Sequence, residues 1–525
     1  MTSRYAPPSR PPAVAGEAMA ATSHPTATLA ALDAMREGGN AIDAALAASA
    51  VLAVIEPHMT GIGGDCFALI AEPDGSLSAL NGSGRSGAAT SLDAARGASR
   101  IEPGSGLAVT VPGAVDAWCE LAERGRLGLG RLLAPAIRVA REGFNVSGRV
   151  AADWAGLGDY LVADEGARTH YLPGSTPPRM GERVALPALA DTLERIAREG
   201  RSAFYEGEVA KEIVALVRAN GGTLGEDDLA AYRCEWVEPL RRPYRDCEAV
   251  EMPPANQGVT ALAMLGMLER FDVGAMDPVG ADKLHLEVEA ARLAYAQRDE
   301  ALADPAAMTV SNDDLLLPDR LDAWARSIDM RRARPVAVPT RTDTDTVYLC
   351  TVDRDGRACS FINSLFTSFG SGLCTLRSGV MLQSRGAGFV LTPGHANALG
   401  SSKRPLHTLI PGMLMRDGRT LAAFGVMGGQ YQAAGHAHLL TGLVDHGLDP
   451  QAALDTPRIF FEGRATVLED GAEPSVREEL ARRGHDMRAP ESPIGGGQAI
   501  WIDRERGALI GGSDARKDGC ALGLG

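Results

Sequence analysis

Two apolar helices and a buried strand are predicted at the start of the chain. Residues 27–37 are rich in Ala and Leu and end at Gly38-Gly39-Asn40, a combination typical of a helix terminus. Residues 41–55 are apolar nearly all round, which predicts a buried helix. A glycine-rich turn over 56–65 then leads to a predicted strand at 66–71. Two helices followed by a buried strand indicate the beginning of an α/β fold.

The middle of the chain, from about residue 111 to residue 326, is predicted to be mainly helical. Segments 127–142 and 284–300 carry apolar residues at helical spacing. The segment that follows, 331–346, reads RRARPVAVPTRTDTDT and has no apolar face. Residues 331–345 are therefore predicted to form an exposed linker.

A β-hairpin is predicted directly after this linker. Residues 347–352 and 358–365 are β-rich, and Asp353-Arg354-Asp355-Gly356 separates them. An Asp-Gly turn between two such runs is a good hairpin signal. Thr346 therefore stands at the junction between an exposed segment and a buried strand.

Composition and charge exclude several classes of partner. The chain has 525 residues and a formal net charge of −15. Nucleic acids and anionic membrane surfaces both attract basic proteins, so neither is expected as a partner. The longest apolar run, about 44–55, is shorter than the roughly 20 residues that cross a bilayer. A small-molecule substrate remains open.

Cysteine and histidine usage predicts a cytoplasmic protein without a metal site. Eight cysteines are scattered with no CxxC pair, and residues 1–25 contain no apolar segment typical of a signal peptide. His436 and His438 form the one tight histidine pair, without Cys or carboxylate partners near them in the sequence. They are interpreted as structural histidines, and no metal or organic cofactor is expected.

Thr346 could act as a nucleophile if the chain were cut directly before it. If the Asp345–Thr346 bond were broken, Thr346 would carry a free α-amino group with an ordinary pKa near 7.7–8.0. That amine can accept the proton of the Thr346 hydroxyl, so the residue gains a base without a histidine. The same hydroxyl can make the cut by attacking the preceding carbonyl. The alternative is that Thr346 is only a strand-forming residue.

Two further features suit such a nucleophile, and each has a plain alternative. The turn Gly428-Gly429 follows an apolar run and offers backbone N–H groups for an oxyanion, but it also fits an ordinary strand-to-helix turn. Arg85 stands alone in a loop of small residues. Its guanidinium can bind a carboxylate through two hydrogen bonds, or it can serve as a structural ion-pair partner.

Ordered motifs along nearly the whole chain resemble the gamma-glutamyltransferases, a family of N-terminal-nucleophile amidohydrolases. They lie at 38–45, 56–64, 111–113, 346–356, 369–372, 403–406, 428–429 and 512–516. The resemblance implies a four-layer αββα sandwich. It also implies a precursor that cuts itself between Asp345 and Thr346 into a large chain, 1–345, and a small chain, 346–525, which stay together.

The resemblance also implies roles for individual residues. Thr346 is the expected nucleophile, and Ser364 is the second hydroxyl residue that hydrogen-bonds to it. Gly428 and Gly429 fall on the oxyanion-hole glycines, and Arg85 falls on the arginine that binds the substrate carboxylate. A homodimer of processed heterodimers is implied as the assembly.

The chain departs from the family where the glutamyl amino group is bound. Positions that hold this ammonium through Asn, Gln or Glu, and Asp are here Phe366, Arg385 and Gly388. A serine pair that helps to hold the α-carboxylate is replaced by His407-Thr408, which still offers hydrogen-bond donors. Carboxylate recognition is therefore expected to survive, while amino-group recognition is not, because Arg385 repels an ammonium ion.

The predicted activity is that of an amidohydrolase or acyltransferase acting on a carboxylate-bearing amide. Arg85 and Arg385 suit an anionic acyl group, such as an oxamyl or a dicarboxylic acyl group. One alternative is a true gamma-glutamyltransferase of glutathione turnover. Another is a catalytically silent binding protein on the same fold. The sequence leaves open whether water or an amine accepts the acyl group.

Overall fold

The computed structural model describes residues 10–335 and 345–525. Its strands are β1 Ala13–Ala15, β2 Ala18–Thr22, β3 Asp65–Ala71, β4 Leu77–Gly82, β5 Phe144–Asn145, β6 Arg183–Val184, β7 Glu235–Val237, β8 Leu240–Tyr244, β9 Cys247–Glu251, β10 Asp345–Val352, β11 Ala358–Phe366, β12 Gly412–Arg416, β13 Arg419–Met427, β14 Ile459–Glu462, β15 Ala465–Leu468, β16 Asp486–Arg488, β17 Gly496–Asp503, β18 Ala508–Ser513 and β19 Cys520–Leu524.

Helices cover both outer faces of the strand layers. They are α1 Pro25–Arg36, α2 Ala41–Ile55, α3 Ala114–Ala122, α4 Leu129–Glu142, α5 Gly148–Ala155, α6 Gly158–Val162, α7 Glu165–Tyr171, α8 Pro187–Glu199, α9 Ser202–Tyr205, α10 Gly207–Ala219, α11 Glu226–Ala231, α12 Gly258–Leu268, α13 Ala281–Ala301, α14 Asn312–Leu315, α15 Pro318–Ser327, α16 Gln432–Leu440, α17 Pro450–Asp455 and α18 Pro474–Arg482.

Two seven-stranded sheets form the centre of the protein. The first sheet has the strand order β19-β2-β10-β11-β3-β4-β7, and the second has the order β1-β18-β17-β13-β12-β9-β8. Both sheets combine strands from before and after residue 345, since β2 pairs with β10 and β19, and β1 pairs with β18. The two parts of the chain therefore build one common core.

The two sheets pack face to face through β10 and β13. The ring of Tyr348 lies against Gly425, where a Cβ would come within 2.3 Å of a ring carbon. Ser360, beside Tyr348 on the neighbouring strand, donates a hydrogen bond of 3.3 Å to the carbonyl of Phe424. Because Gly425 has no side chain, the two sheets approach closely at the level of the hairpin.

Helices on each outer face complete four layers. α1 and α2 lie against the first sheet, and α12, α16 and α17 lie against the second. The expected αββα sandwich is thus confirmed. All fifteen residues of α2 are buried, and its N-terminus is capped by Asn40 and Asp43, which agrees with the helix predicted over 41–55.

Most of the predicted elements are present, with small differences at their ends. The strands predicted over 347–352 and 358–365 are β10 and β11, and the segments with helical spacing are α4 and α13. The middle region is mainly helical but also contains β5 to β9. β7 and β8 lie at sheet edges and carry polar residues, so they lack the apolar pattern of a buried strand.

The predicted linker is described only in part. Residues 336–344 lie outside the described residues, while Asp345 already begins β10. All eight cysteines are free thiols. Among the described residues, the helices are too short or too polar to cross a membrane.

Candidate functional site

Thr346 occupies an irregularity in the pairing of β10 with β11. Asp345 pairs with Phe366 and Val347 pairs with Asn363, so one residue on β10 faces two residues on β11. Such a bulge re-aims the side chains around it. Only 1% of the Thr346 surface is exposed, and its Oγ1 donates a hydrogen bond of 3.2 Å to Ser364 Oγ.

Ser364 is the meeting point of several donors. Besides Thr346, its Oγ accepts from the Phe366 N–H at 2.8 Å and from Arg385 Nη2 at 3.4 Å. Phe366 has a φ of 83°, which is unfavourable for a large side chain and is typical of functional sites. The Phe366 ring lies 4.1 Å from the guanidinium carbon of Arg385, close enough for a cation–π interaction.

Arg385 reaches Ser364 because its segment runs beside the end of β11. The Ser384 N–H donates to the Leu365 carbonyl at 3.0 Å. The Arg385 side chain is fully buried, and Nη1 donates to Thr408 Oγ1 at 3.0 Å. Burial lowers the pKa of Arg385 to about 9, against the opposing effect of Asp65. The guanidinium therefore carries its charge at neutral pH.

Asp65 also belongs to the cluster formed by Thr346, Ser364 and Arg385, and it was not predicted from the sequence. It is fully buried and pairs across the strands with Ser364. One carboxylate oxygen accepts from the Gly84 N–H at 3.1 Å, and the other lies 3.9 Å from Arg385 Nε. Burial raises the pKa of Asp65 to about 7, although Arg385 opposes this. The available signal was an acidic residue that opens an otherwise apolar strand.

His407 is held beside Asp65 rather than beside Thr346. Its Nε2 lies 2.9 Å from Asp65 Oδ2, and its Nδ1 accepts from the Leu409 N–H at 3.3 Å. These two contacts assign the ring proton to Nε2. Burial, together with the charge of Arg385, holds the pKa of His407 well below its ordinary value, so the ring is a neutral donor to Asp65.

Gly428 and Gly429 directly follow β13. Their φ angles are 111° and 51°, in the region that favours glycine. A Cβ on Gly428 would lie 2.8 Å from the Cα of Gly495. Both the backbone conformation and the close approach therefore require glycine at position 428.

Gln257 connects this glycine turn to the Arg385 cluster. Its Nε2 donates to the carbonyls of Thr408 and Gly429, both at 2.9 Å. Arg298 Nη1 donates in turn to Gln257 Oε1 at 2.7 Å. Neither Gln257 nor Arg298 was predicted from the sequence. A continuous series of hydrogen bonds thus runs from Thr346 through Arg385 and Thr408 to the turn.

Arg85 lies outside this series of hydrogen bonds. Its Nη1 donates to Asp304 at 2.9 Å, and its Nη2 lies 3.4 Å from Glu235. About a third of its side chain, 35%, is exposed. These contacts are those of an ion-pair partner, and its role as a carboxylate-binding residue stays a prediction.

The paired histidines are buried, as expected of structural residues, but they do have carboxylate partners. His436 Nδ1 lies 2.6 Å from Glu251, and His438 Nδ1 lies 2.8 Å from Glu287. Both partners come from segments more than 150 positions away, which is why sequence neighbours gave no sign of them.

One buried group has the side chains of a metal site: His285, Glu289 and His485. His285 Nε2 lies 2.9 Å from the carbonyl of Asp329, and Nδ1 lies 2.8 Å from His485 Nε2. Glu289 is paired with Arg292 at 2.7 Å. These hydrogen bonds already use the ligand atoms, so the group is explained as a polar contact within the core.

Comparison with known proteins agrees with the fold and identifies the family. Residues 27–524 match the family description of gamma-glutamyltranspeptidase. The chain is 36% identical to the glutathione hydrolase-like YwrD proenzyme of Bacillus subtilis, over 96% of this chain and 98% of that protein. It is 35% identical to the oxamate amidohydrolase proenzyme of Klebsiella pneumoniae, over 97% and 99%.

A solved structure of a related protein has the same fold. The crystal structure of cephalosporin acylase from Bacillus halodurans superposes with a TM-score of 0.93 and 39% identity, covering 98% of this chain and 97% of that one. Sequence and structure agree over almost the full length. The chain therefore belongs to the gamma-glutamyltranspeptidase family of N-terminal-nucleophile hydrolases.

Proposed function

We propose that the chain is a self-processing amidohydrolase, with Thr346 as nucleophile, that acts on amides whose acyl group carries a carboxylate. The observation that carries the proposal is the position of Arg385. Its Nη2 lies 3.4 Å from Ser364 Oγ, which lies 3.2 Å from Thr346 Oγ1. A buried cation thus stands one residue away from the hydroxyl that attacks the acyl group.

Processing uses the same hydroxyl. Thr346 Oγ1 attacks the carbonyl carbon of Asp345, and its proton passes to the Thr346 nitrogen as the peptide C–N bond breaks. An ester then joins the two residues. Water hydrolyses this ester, which leaves a carboxylate on Asp345 and a free α-amine on Thr346. The hydrogen bond to Ser364 supports this step because it fixes the hydroxyl at the bulge. The common core holds the two products together.

Turnover repeats this chemistry on the substrate. The α-amine takes the proton of the Thr346 hydroxyl as the oxygen attacks the amide carbonyl. The N–H groups of Gly428 and Gly429 stabilise the oxyanion. The amide C–N bond then breaks and the amine leaves with the proton from the α-amine. Water, or an acceptor amine, releases the acyl group from the ester.

The charge of the cluster supports a carboxylate over an ammonium ion on the acyl group. Arg385 and Phe366 occupy positions where the family resemblance implies ammonium-binding residues. Placing an ammonium ion beside the buried Arg385 costs a few kcal/mol at least, about a hundredfold in affinity. The oxalyl group of oxamate and the glutaryl group both fit this requirement, because each carries a carboxylate. Relatives named oxamate amidohydrolase and acylase are consistent with it.

Processing is tested with two threonine variants. Thr346→Ala is expected to remain one chain on a denaturing gel, because no hydroxyl attacks Asp345. Thr344→Ala, which lies outside the described residues, is the matched control and is expected to yield two chains, the smaller beginning at Thr346. End-group sequencing or intact mass checks this. Two chains from Thr346→Ala would overturn the nucleophile assignment.

Substrate class is tested with the processed enzyme. It is offered oxamate, a glutaryl anilide and a gamma-glutamyl anilide side by side. Turnover of oxamate or the glutaryl compound at more than about 100 times the glutamyl rate is expected from the charge argument. Fast turnover of the glutamyl compound alone would indicate a true gamma-glutamyltransferase. An unprocessed chain without any turnover would indicate a silent binding protein.

A further inference from the structure

Asp65 and Arg385 are opposite charges that lie close together without a hydrogen bond between them. Neither side chain has any exposed surface, and Asp65 Oδ2 lies 3.9 Å from Arg385 Nε. Among the described residues, this Nε has no hydrogen-bond partner. A close carboxylate–guanidinium pair makes short, charge-assisted hydrogen bonds. Because this pair makes none, the charge of Asp65 can change without breaking a hydrogen bond to Arg385.

The other contacts of Asp65 hold its carboxyl group in a fixed position. Oδ1 accepts from the Gly84 N–H at 3.1 Å and from Gln383 Nε2 at 3.0 Å. Oδ2 accepts from His407 Nε2 at 2.9 Å. A protonated carboxyl group gains an O–H donor and keeps acceptor capacity. The position of Asp65 is therefore compatible with both of its protonation states.

Asp65 is the group of this cluster whose charge changes near neutral pH. Burial raises its pKa to about 7, against the effect of Arg385. Burial also lowers the pKa of the neighbouring imidazole and raises the pKa of the neighbouring thiol and phenol, which keeps three side chains uncharged: His407, Cys66 and Tyr232. Arg404, whose charge acts on His407, is itself paired with Glu235 at 2.9 Å.

The protonation of Asp65 decides the net charge that an incoming group meets. With Asp65 ionised, the charges of Asp65 and Arg385 cancel. With Asp65 protonated, the charge of Arg385 is left over. An anion enters a buried site at a large energetic penalty unless an opposite charge matches it. Two carboxylates that share one site do not both stay ionised, because one strongly raises the pKa of the other.

We infer that Asp65 is a specificity-determining residue of the acyl site, which takes up one proton when a carboxylate binds beside Arg385. This inference rests on the function proposed above. The proton comes from solvent and resides on Asp65, so the occupied site contains one cation, one anion and one neutral carboxyl group. When Asp65 is ionised, the site has no net charge and loses its preference for an anionic acyl group over a neutral one.

The test compares two substrates that differ only in the charge of the acyl group: glutaryl 4-nitroanilide and its uncharged terminal amide. Release of 4-nitroaniline is measured for both. The ratio of their kcat/KM values cancels the titration of the Thr346 α-amine, because both substrates use the same nucleophile. In the wild type, the acid-to-amide ratio is expected to fall about tenfold between about pH 6 and about pH 8, as the protonated fraction of Asp65 falls.

Asp65→Asn keeps a neutral side chain at this position and is expected to show the same ratio at both pH values. Asp355→Asn is the matched control, since Asp355 is an exposed acid, and it is expected to keep the wild-type decline. Melting temperature and processing are measured for each variant. A ratio independent of pH in the wild type, or an unchanged decline in Asp65→Asn, would overturn the inference. The wild-type result tests it even if Asp65→Asn does not fold.

A binding measurement separates this inference from the proposed function. Calorimetry of glutarate binding at about pH 8, in two buffers of different ionisation enthalpy, counts the protons taken up. The wild type is expected to take up nearly one proton more than Asp65→Asn. If neither anilide is hydrolysed but this difference is observed, the role of Asp65 stands and the proposed function fails. If both proteins bind glutarate with equal proton uptake, the inference fails whatever the enzyme hydrolyses.

Discussion

Arg385 and Arg85 were both expected to bind a substrate carboxylate, and the structure gives them opposite surroundings. Arg385 is fully buried, and its two terminal nitrogens donate to Ser364 and Thr408. Arg85 is 35% exposed, and its guanidinium bonds to Asp304. A charge acts strongly over short distances in a buried site and weakly where water and salt screen it. Two arginines can therefore differ greatly in how strongly they interact with a bound carboxylate.

Local sequence could not separate these two arginines. Arg85 lies in a loop of small residues, which looks like an open binding site, while Arg385 follows Ser384 without an obvious motif. The difference arises from segments that meet in space: the end of β11 for Arg385, and Asp304 for Arg85.

Arg385→Met is expected to lower kcat/KM for a glutaryl anilide by about 100-fold, because a charged hydrogen bond in a buried site contributes roughly 3 kcal/mol. Steady-state rates on the processed enzyme check this. Arg385→Lys keeps the charge and serves as the folding control, with an intermediate loss expected. A loss below threefold in Arg385→Met would show that the buried cation does not act on the substrate.

The protonation of Asp65, which lies beside Arg385, can be followed through the pH dependence of the free energy of unfolding. Its pKa is raised to about 7 by burial, while an unfolded chain loses this proton near pH 3.9. The native state thus holds a proton that the unfolded state has lost. Relative to Asp65→Asn, the wild type should lose stability as pH rises from about 4 to 7, by at most about 1.4 kcal/mol per unit, and then stay level.

Urea unfolding of both proteins at a series of pH values measures this difference. Asp355→Asn is the control, since Asp355 is an exposed acid paired with Arg126, and it should show no such trend. Because Arg385 lowers the pKa of Asp65, Arg385→Met should move the end of the trend above pH 7. A flat difference between pH 4 and 7 would contradict the raised pKa.

Arg85→Met is expected to have the smallest effect. The loss of a partly exposed ion pair costs about 1 kcal/mol or less, and Asp304 still accepts from the Arg404 N–H at 2.8 Å. Activity on the glutaryl anilide should therefore stay within about twofold of the wild type. If this variant instead loses as much activity as Arg385→Met, Arg85 binds the carboxylate as the sequence predicted, and the contrast disappears.

Some residues of the candidate site can be predicted from the sequence, and others cannot. Thr346 and Ser364 could be chosen from the hairpin and from ordered motifs, and the structure brings their hydroxyls together. Asp65 and Gln257 were not predicted, although they join the cluster to its surroundings. Asp65 and its partner His407 are 342 positions apart. The residues next to either one therefore do not indicate that the two are in contact.

Patterns along the chain were sufficient to identify several elements of this protein and its family. Apolar runs at helical or strand spacing identified α2, β10 and β11, since these elements bury one face or all of their surface wherever they pack. The set of charged side chains that meet near Thr346 depends instead on how distant segments fold together. The partners of buried charges come from distant segments, and the energetic penalty for an unpaired one is visible only when those segments are assembled.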